Sequence, residues 1–476
     1  MKTFKILFIA LATLIMTSCS EELMDLINRD VNNALTMSAQ SELPDVILNS
    51  AFSTTGTDIA WYATVYVEHS AGTWAQSAQA DKRVGQTAST LFNNNWNALY
   101  DNLMVLDDMI KKTDPTTGDE DNLYARGIAQ ILTAYNLAVL TDMWGEVPWS
   151  EALKGSEDLQ PKYDKQSEIY PKIMQYLDDG IASLNAATSI SVAGDYIYGG
   201  SAATAKAKWI KAANSLKARY SLRLTNVDPA SATKALATIS NGFESNADNF
   251  IFAKYEETAT GENPWYQFLA DRTHLSVSTT LFDLMQARND PRIPVYFLQV
   301  DGAYNPAPNG EATESQGGIY STSRLTAEGR TAPTPLMTYH ELKFIEAEAK
   351  FRTGDATWQT SLQQAIAANF LWHKLTEDDA NAYFTASVLP LLTAGNELKE
   401  ILTQKYIAFY EFEAIEAYND YRREPSFLTL KNPNNETTGF VWRFPYGTSE
   451  YASNSANIPD ANVFTNKTWW AGGTEF

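Results

Sequence analysis

Four stretches between residues 92 and 224 place apolar side chains three or four positions apart, a spacing that a helix gathers onto one side. Phe92, Trp96, Leu99, Leu103, Leu106 and Ile110 form the first stripe, stopped by the breaker run Asp114-Pro115-Thr116-Thr117-Gly118. Leu123, Ile128, Ile131, Leu132, Tyr135 and Val139 form the second, which leads into Asp142-Met143-Trp144-Gly145. Ile169, Ile173, Tyr176, Leu177, Ile181 and Leu184 form the third, and Trp209, Ala213, Leu216, Tyr220 and Leu224 the fourth. A helix with one apolar stripe must bury it against a neighbour, and short loops make chain neighbours into packing neighbours. The predicted fold class is therefore mostly α, built of packed helix pairs.

The rest of the chain sorts by the same criterion. Ser38 to Phe52 carries a weak helical pattern, and Ile59 to Ser70 reads as a helix followed by the loop Gly72-Thr73-Trp74-Ala75-Gln76. Residues 241–335 change character, with more Gly, Pro, Asn, Asp and Thr and with aromatics beside the breakers, as in Asn263-Pro264-Trp265-Tyr266. Such aromatic-rich loops argue for a ligand-facing region rather than disorder. Helical spacing resumes at Leu342, Ile345 and Ala349, closes at Gly354-Asp355, and returns through Leu362, Ile366 and Phe370. A helix–turn–helix with alanines at close positions is the unit of tetratricopeptide solenoids. One further helix is expected from Glu397 to Tyr421, and coil from Thr438 to Phe476.

The N-terminus decides where this body works. Lys2 and Lys5 precede an apolar run, Ile6 to Met16, too short to span a bilayer and followed by small residues. The chain has one cysteine, Cys19, and it falls at the expected cleavage point. A bacterial lipoprotein signal is the economical reading: residues 1–18 removed, Cys19 acylated, residues 19–45 a lipidated tether, and residues 46–476 the folded body with 241–335 as its loop-rich part. The lipid would anchor the protein without spanning the membrane. A lone cysteine leaves no intrachain disulfide and no cysteine-based metal site.

A net charge of −21 disfavours nucleic acid and anionic lipid headgroups as partners. Enzyme signatures are missing: the sequence has no nucleophile elbow, phosphate loop, dinucleotide fingerprint or His-Glu-x-x-His. His69, His274, His340 and His373 are scattered, and Asp114 to Asp121 lacks the ordered alternation of a calcium loop. No catalytic residue, metal or cofactor is expected. A pair of carboxylates suited to glycoside hydrolysis cannot be read from a sequence holding 57 acidic residues, so a surface glycoside hydrolase stays open as an alternative.

Three local segments carry more information. Trp144-Gly145-Glu146-Val147-Pro148-Trp149 is a helix end clamped by two tryptophans; Asp420-Tyr421-Arg422-Arg423 puts cations at a helix C-terminus; Arg443-Phe444-Pro445-Tyr446 follows late in the chain. Together with the Cys19 signal and the Leu342 to Ala349 helix, in this order, they resemble the SusD/RagB family of surface lipoproteins, in its shorter SusD-like branch. The resemblance covers essentially the whole mature chain. It implies an α-helical fold on tetratricopeptide-like pairs at the outer face of the outer membrane, with Ser20-Glu21-Glu22 similar to an export tag for the surface. It also implies a SusC-type TonB-dependent transporter as partner, over which the protein sits as a hinged lid, and a nutrient ligand, usually an oligo- or polysaccharide. A peptide-binding or scaffold lipoprotein is the remaining alternative.

Sugar capture needs flat aromatic faces for the C–H-rich side of the ring and polar forks for its hydroxyls. Trp74 with Gln76 is the first expected pair; Trp265 and Tyr266 with Arg272 come second; Tyr304 and Tyr320 third. Trp96, Trp144, Trp149 and Trp209 read as architecture. The resemblance transfers no individual contact residue, because the family's contacts lie on variable loops.

Overall fold

Each of the four periodic stretches is a helix. In chain order the longer helices are α1 (Ala39–Asn49), α2 (Asp58–Tyr66), α3 (Ala75–Asp81), α4 (Asn93–Lys112), α5 (Leu123–Trp144), α6 (Gln166–Ala186), α7 (Ala202–Arg223), α8 (Ser231–Ile239), α9 (Pro264–Asp271), α10 (Thr279–Gln286), α11 (Tyr339–Thr353), α12 (Trp358–Trp372), α13 (Glu377–Tyr383), α14 (Glu397–Ala408) and α15 (Ala414–Arg423). Among the described residues six short strands pair antiparallel in twos: β1 (Ser70–Gly72) with β5 (Leu275–Val277), β2 (Val147–Pro148) with β3 (Tyr163–Asp164), and β4 (Phe250–Phe252) with β6 (Thr334–Met337). This computed structural model describes residues 37–476; the expected leader, Cys19 and the tether up to residue 36 lie outside the described residues.

Successive helices pack as pairs: α4 on α5, α5 on α6, α6 on α7, α7 on α8, and α11 on α12. The mostly helical class read from the periodicity is the class observed. α5 lies deepest, with nearly every residue from Tyr124 to Trp144 buried, which fits its apolar character on all sides. It meets α6 where two glycines face each other. A Cβ on Gly127 would fall 2.9 Å from the Gly180 carbonyl oxygen, and one on Gly180 3.0 Å from that of Gly127.

Two expectations need correction. Residues 39–45 belong to the body rather than to the tether, because α1 buries Ala39, Leu43, Val46 and Ile47 on one face. The helix expected from Glu397 to Tyr421 is two helices: the chain turns between Ala408 and Ala414, with Glu411 in the left-handed region at φ 70°. The cause is tertiary, since Glu411 is buried and accepts a 2.6 Å hydrogen bond from the Ser323 hydroxyl. Residues 241–335 are tied into the body by two strand pairs: β5 within them pairs with β1 at the front of the chain, and β4 with β6 at their end.

The three family-like segments converge on the end of α5. Gly145 stands at φ 80°, and a Cβ there would touch the Arg443 guanidinium. That guanidinium donates to the Trp144 carbonyl, the Trp144 indole donates to Pro445 O at 2.9 Å, and Phe444 N–H donates to Met143 O at 2.8 Å. Arg422 donates to Asp142 O at 2.7 Å and Trp442 O at 3.0 Å. Phe444 then stacks on Phe92 with centroids 3.8 Å apart. Helix end, helix end and C-terminal segment form one knot, which fixes the rest of the body around α5.

Candidate ligand-binding face

β1 and β5 pair with Ser70 opposite Val277 and Gly72 opposite Leu275, and the pairing runs one step further: Thr73 N–H donates to His274 O at 2.9 Å. A third segment joins there, because Ser315 N–H donates to Thr73 O at 2.8 Å. Trp74 follows directly. It is extended (φ −153°, ψ 150°), it precedes Ala75 in the left-handed region at φ 45°, and α3 starts beyond it. The chain doubles back so tightly that a Cβ on Gly72 would sit 1.9 Å from Ser77 O. The result is a tryptophan held on a fixed turn with 37% of its surface in solvent, and with Gln76 exposed beside it.

Asp81 secures this turn from below. Its carboxylate accepts from Gly72 N–H at 3.2 Å, Gly310 N–H at 2.8 Å, and the amides of Asn309 and Asn432, each at 3.0 Å. Burial pushes its pKa up to about 7, against the pull of Arg83 and of these donors. Asp81 thus ties the Trp74 turn to the 309–310 loop and to the segment at Asn432.

Around the turn stand neutral polar groups and further rings. The His274 ring faces the Gln316 amide at 3.4 Å, and burial followed by the nearby Arg272 charge holds its pKa below the usual histidine range, so it is neutral at physiological pH. Phe268 packs its ring edge to face with His274 (5.7 Å) and stacks on Trp61 (4.1 Å, 24°). The Trp61 indole N–H is buried without a hydrogen-bond partner. Asp58, its pKa raised by burial and pulled back by Arg272, begins the same helix, and burial with the Asp58 charge pushes the Tyr62 hydroxyl up to about 12.

The structure brings together Trp74, Gln76 and Arg272, the last two residues from His274 and exposed. It also brings in Tyr320: its hydroxyl accepts from Thr313 N–H at 3.0 Å, which braces the loop that carries Ser315 and Gln316. Tyr304 is half-buried against Phe282 at 5.6 Å and supports the same loop through its neighbour Asn305, whose amide donates to Ile319 O at 2.7 Å. Trp265 is a correction. It is 2% exposed, with its ring against Phe412, and has no face to offer a ligand. Asn263 caps α9 by accepting from Trp265 N–H and Tyr266 N–H, with Pro264 at the first position, so the segment read as a loop starts a helix that turns Trp265 inward. Tyr266 instead lies beneath Arg330, 5.9 Å from its ring centre. Trp61, Phe268, His274 and Gln316 are the members that the sequence reading missed.

Among the described residues no helix is long and apolar enough to cross a membrane. The family model described as starch-binding, associating with the outer membrane, of the SusD-like type, matches residues 32–446. Among solved structures, a SusD/RagB family protein from Bacteroides thetaiotaomicron is 34% identical with a TM-score of 0.84, covering 92% of this chain and all of its own. A chitin-binding protein is 26% identical with a TM-score of 0.75, covering 90% of this chain and 99% of its own. A chitin-binding SusD homologue from Flavobacterium johnsoniae, 23% identical with a TM-score of 0.73, covers 91% of this chain and 98% of its own and shares the fold. No curated protein matches the sequence. With its helix pairs, its knot at Trp144 and its match over most of its length, the chain belongs to the SusD/RagB family.

Proposed function

We propose that this protein is a non-catalytic, lipid-anchored surface protein that captures a glycan on the Trp74 face and hands it to a SusC-type TonB-dependent transporter. The reading is carried by one observation: a solvent-facing tryptophan on a braced turn, flanked by the neutral His274 and Gln316 pair. A ring fixed in place costs little ordering entropy when a sugar stacks on it, and uncharged donors and acceptors match hydroxyls and amides. The family description and the chitin-binding relative support a polysaccharide ligand, with β-linked N-acetylglucosamine chains as the first probe. The Lys2 to Cys19 signal supports a lipid anchor.

Titration calorimetry with chitohexaose and maltohexaose, on wild type and Trp74→Ala, tests capture. Saturable binding to one of them, weakened at least tenfold by Trp74→Ala and with the oligosaccharide recovered intact, is the expected result. Release of new reducing ends would turn the reading to hydrolysis, and undiminished affinity in Trp74→Ala would remove the face. Co-purification of an outer-membrane barrel with the full chain checks the delivery step.

A further inference from the structure

A cleft of about 780 Å³ that shares no lining residue with the Trp74 turn lies between Pro294 and Val295, the 324–333 segment, and the end of α12 at residues 372–374. Its size is that of a small-molecule site. Trp372 and Phe412 give it aromatic walls, and Pro294, Val295 and Pro333 add apolar ones. Phe412 also meets the buried Trp265 edge to face, with ring centroids 6.1 Å apart.

The charges in this cleft are unusual for a chain of net charge −21. Arg324 reaches Glu328 at 2.5 Å through one terminal nitrogen, but its Nε–H is buried without a partner. Lys374 lines the cleft, and among the described residues no carboxylate stands within ion-pair distance of it. His373, between them and Tyr296, is kept neutral by burial, so the lining carries one uncompensated positive charge. The backbone under Lys374 points the same way. Lys374 sits in the left-handed region (φ 63°) where α12 ends, with Leu375 N–H bonded back to Phe370 O at 2.9 Å. Glycine is the residue that takes this position without strain, and the preceding helix α11 uses Gly354 there at φ 76°. α12 ends on Lys374 instead, which places a cation at the cleft.

We propose that this cleft is a second saccharide site, specific for an acidic sugar, with Trp372 and Phe412 stacking on the pyranose and Lys374 receiving its carboxylate. The cleft shares no lining residue with the Trp74 face, and the proposal stands whether or not that face binds neutral glycan.

The experiment uses trigalacturonate, maltotriose and trialanine as probes, read by calorimetry on the folded mature protein. Trigalacturonate is expected to bind saturably, with affinity that falls as salt rises. Lys374→Gly relieves the left-handed strain, so its melting temperature should hold or rise while trigalacturonate affinity drops about tenfold; Trp372→Ala should drop it further. Trp74→Ala should leave trigalacturonate binding intact. The proposal is overturned if wild type shows no saturable trigalacturonate binding. It is also overturned if Lys374→Gly binds trigalacturonate as wild type does, if Trp74→Ala abolishes the binding, or if maltotriose or trialanine binds in a Lys374-independent way with equal affinity at this cleft.

Discussion

At the scale of single residues, the face depends on what Gly72 lacks. A methyl group there would overlap Ser77 O at 1.9 Å, and that oxygen belongs to backbone that cannot rotate away. Gly72→Ala must therefore open the turn, with a cost of about 1–3 kcal/mol for forced overpacking and a displaced Trp74. Urea denaturation should show the loss, and glycan titration should show weakened binding in the same variant. Trp74→Ala should separate the two readouts, with stability within about 1 kcal/mol of wild type and binding lost, because this ring is largely outside the core. Sequence reading singles out Trp74 because it stands with Gln76 in the loop after Gly72, and the structure leaves 37% of its surface in solvent. It misplaces Trp265, because Asn-Pro looks like a loop breaker although Asn as cap with Pro after it also starts helices. It cannot find His274 opposite Gln316, which only a strand pair and a loop 42 residues on bring together.

At the scale of elements, the helices were legible and their crossings were not. The apolar stripes of α4, α6 and α7 state which side is buried, but α5 is buried all round, and periodicity cannot say which neighbour takes which side. The answer lies in Gly127 and Gly180, mid-helix residues that propensity alone would score as flaws. They let α5 and α6 approach until each Cβ position touches the other's carbonyl oxygen. Gly180→Leu would gain about 1 kcal/mol of helix propensity and lose more to the clash with Ile131 and with Gly127 O. A lower midpoint in chemical denaturation, with helical circular dichroism retained in the native state, is the expected outcome. The break between α14 and α15 was hidden for a related reason: every residue from Ile407 to Ala414 is a plausible helix former, and the turn comes from where Glu411 finds the Ser323 hydroxyl.

At the scale of the whole molecule, buried ion pairs bind distant helices and set the response to pH. Arg219 on α7 meets Glu341 on α11; Arg223 on α7 meets Glu416 on α15; Arg423 meets Glu348 at 2.5 Å and Asp420 at 2.9 Å. Removing one member leaves its partner charged and dry, so Arg423→Met should cost about 3–5 kcal/mol. Arg223 and Arg219 hold the Glu416 carboxyl down to about 2 against the burial that would raise it. The unfolded chain, with an ordinary carboxyl near 4.5, then takes up a proton between those values that the native state refuses, and stability falls as pH drops from about 4.5 toward 2. Glu411 works in the opposite sense. Burial without a cation pushes it up to about 7, so between about 4.5 and 7 the native state holds a proton that the unfolded chain releases, and stability falls as pH rises. Each limb amounts to about 3 kcal/mol at full extent. Glu411→Gln keeps the shape and removes the proton, so thermal melts at pH 5 and pH 8 should differ less in this variant than in wild type. An equal pH 5 to pH 8 difference in both proteins would mean that the buried Glu411 already ionises freely inside the turn.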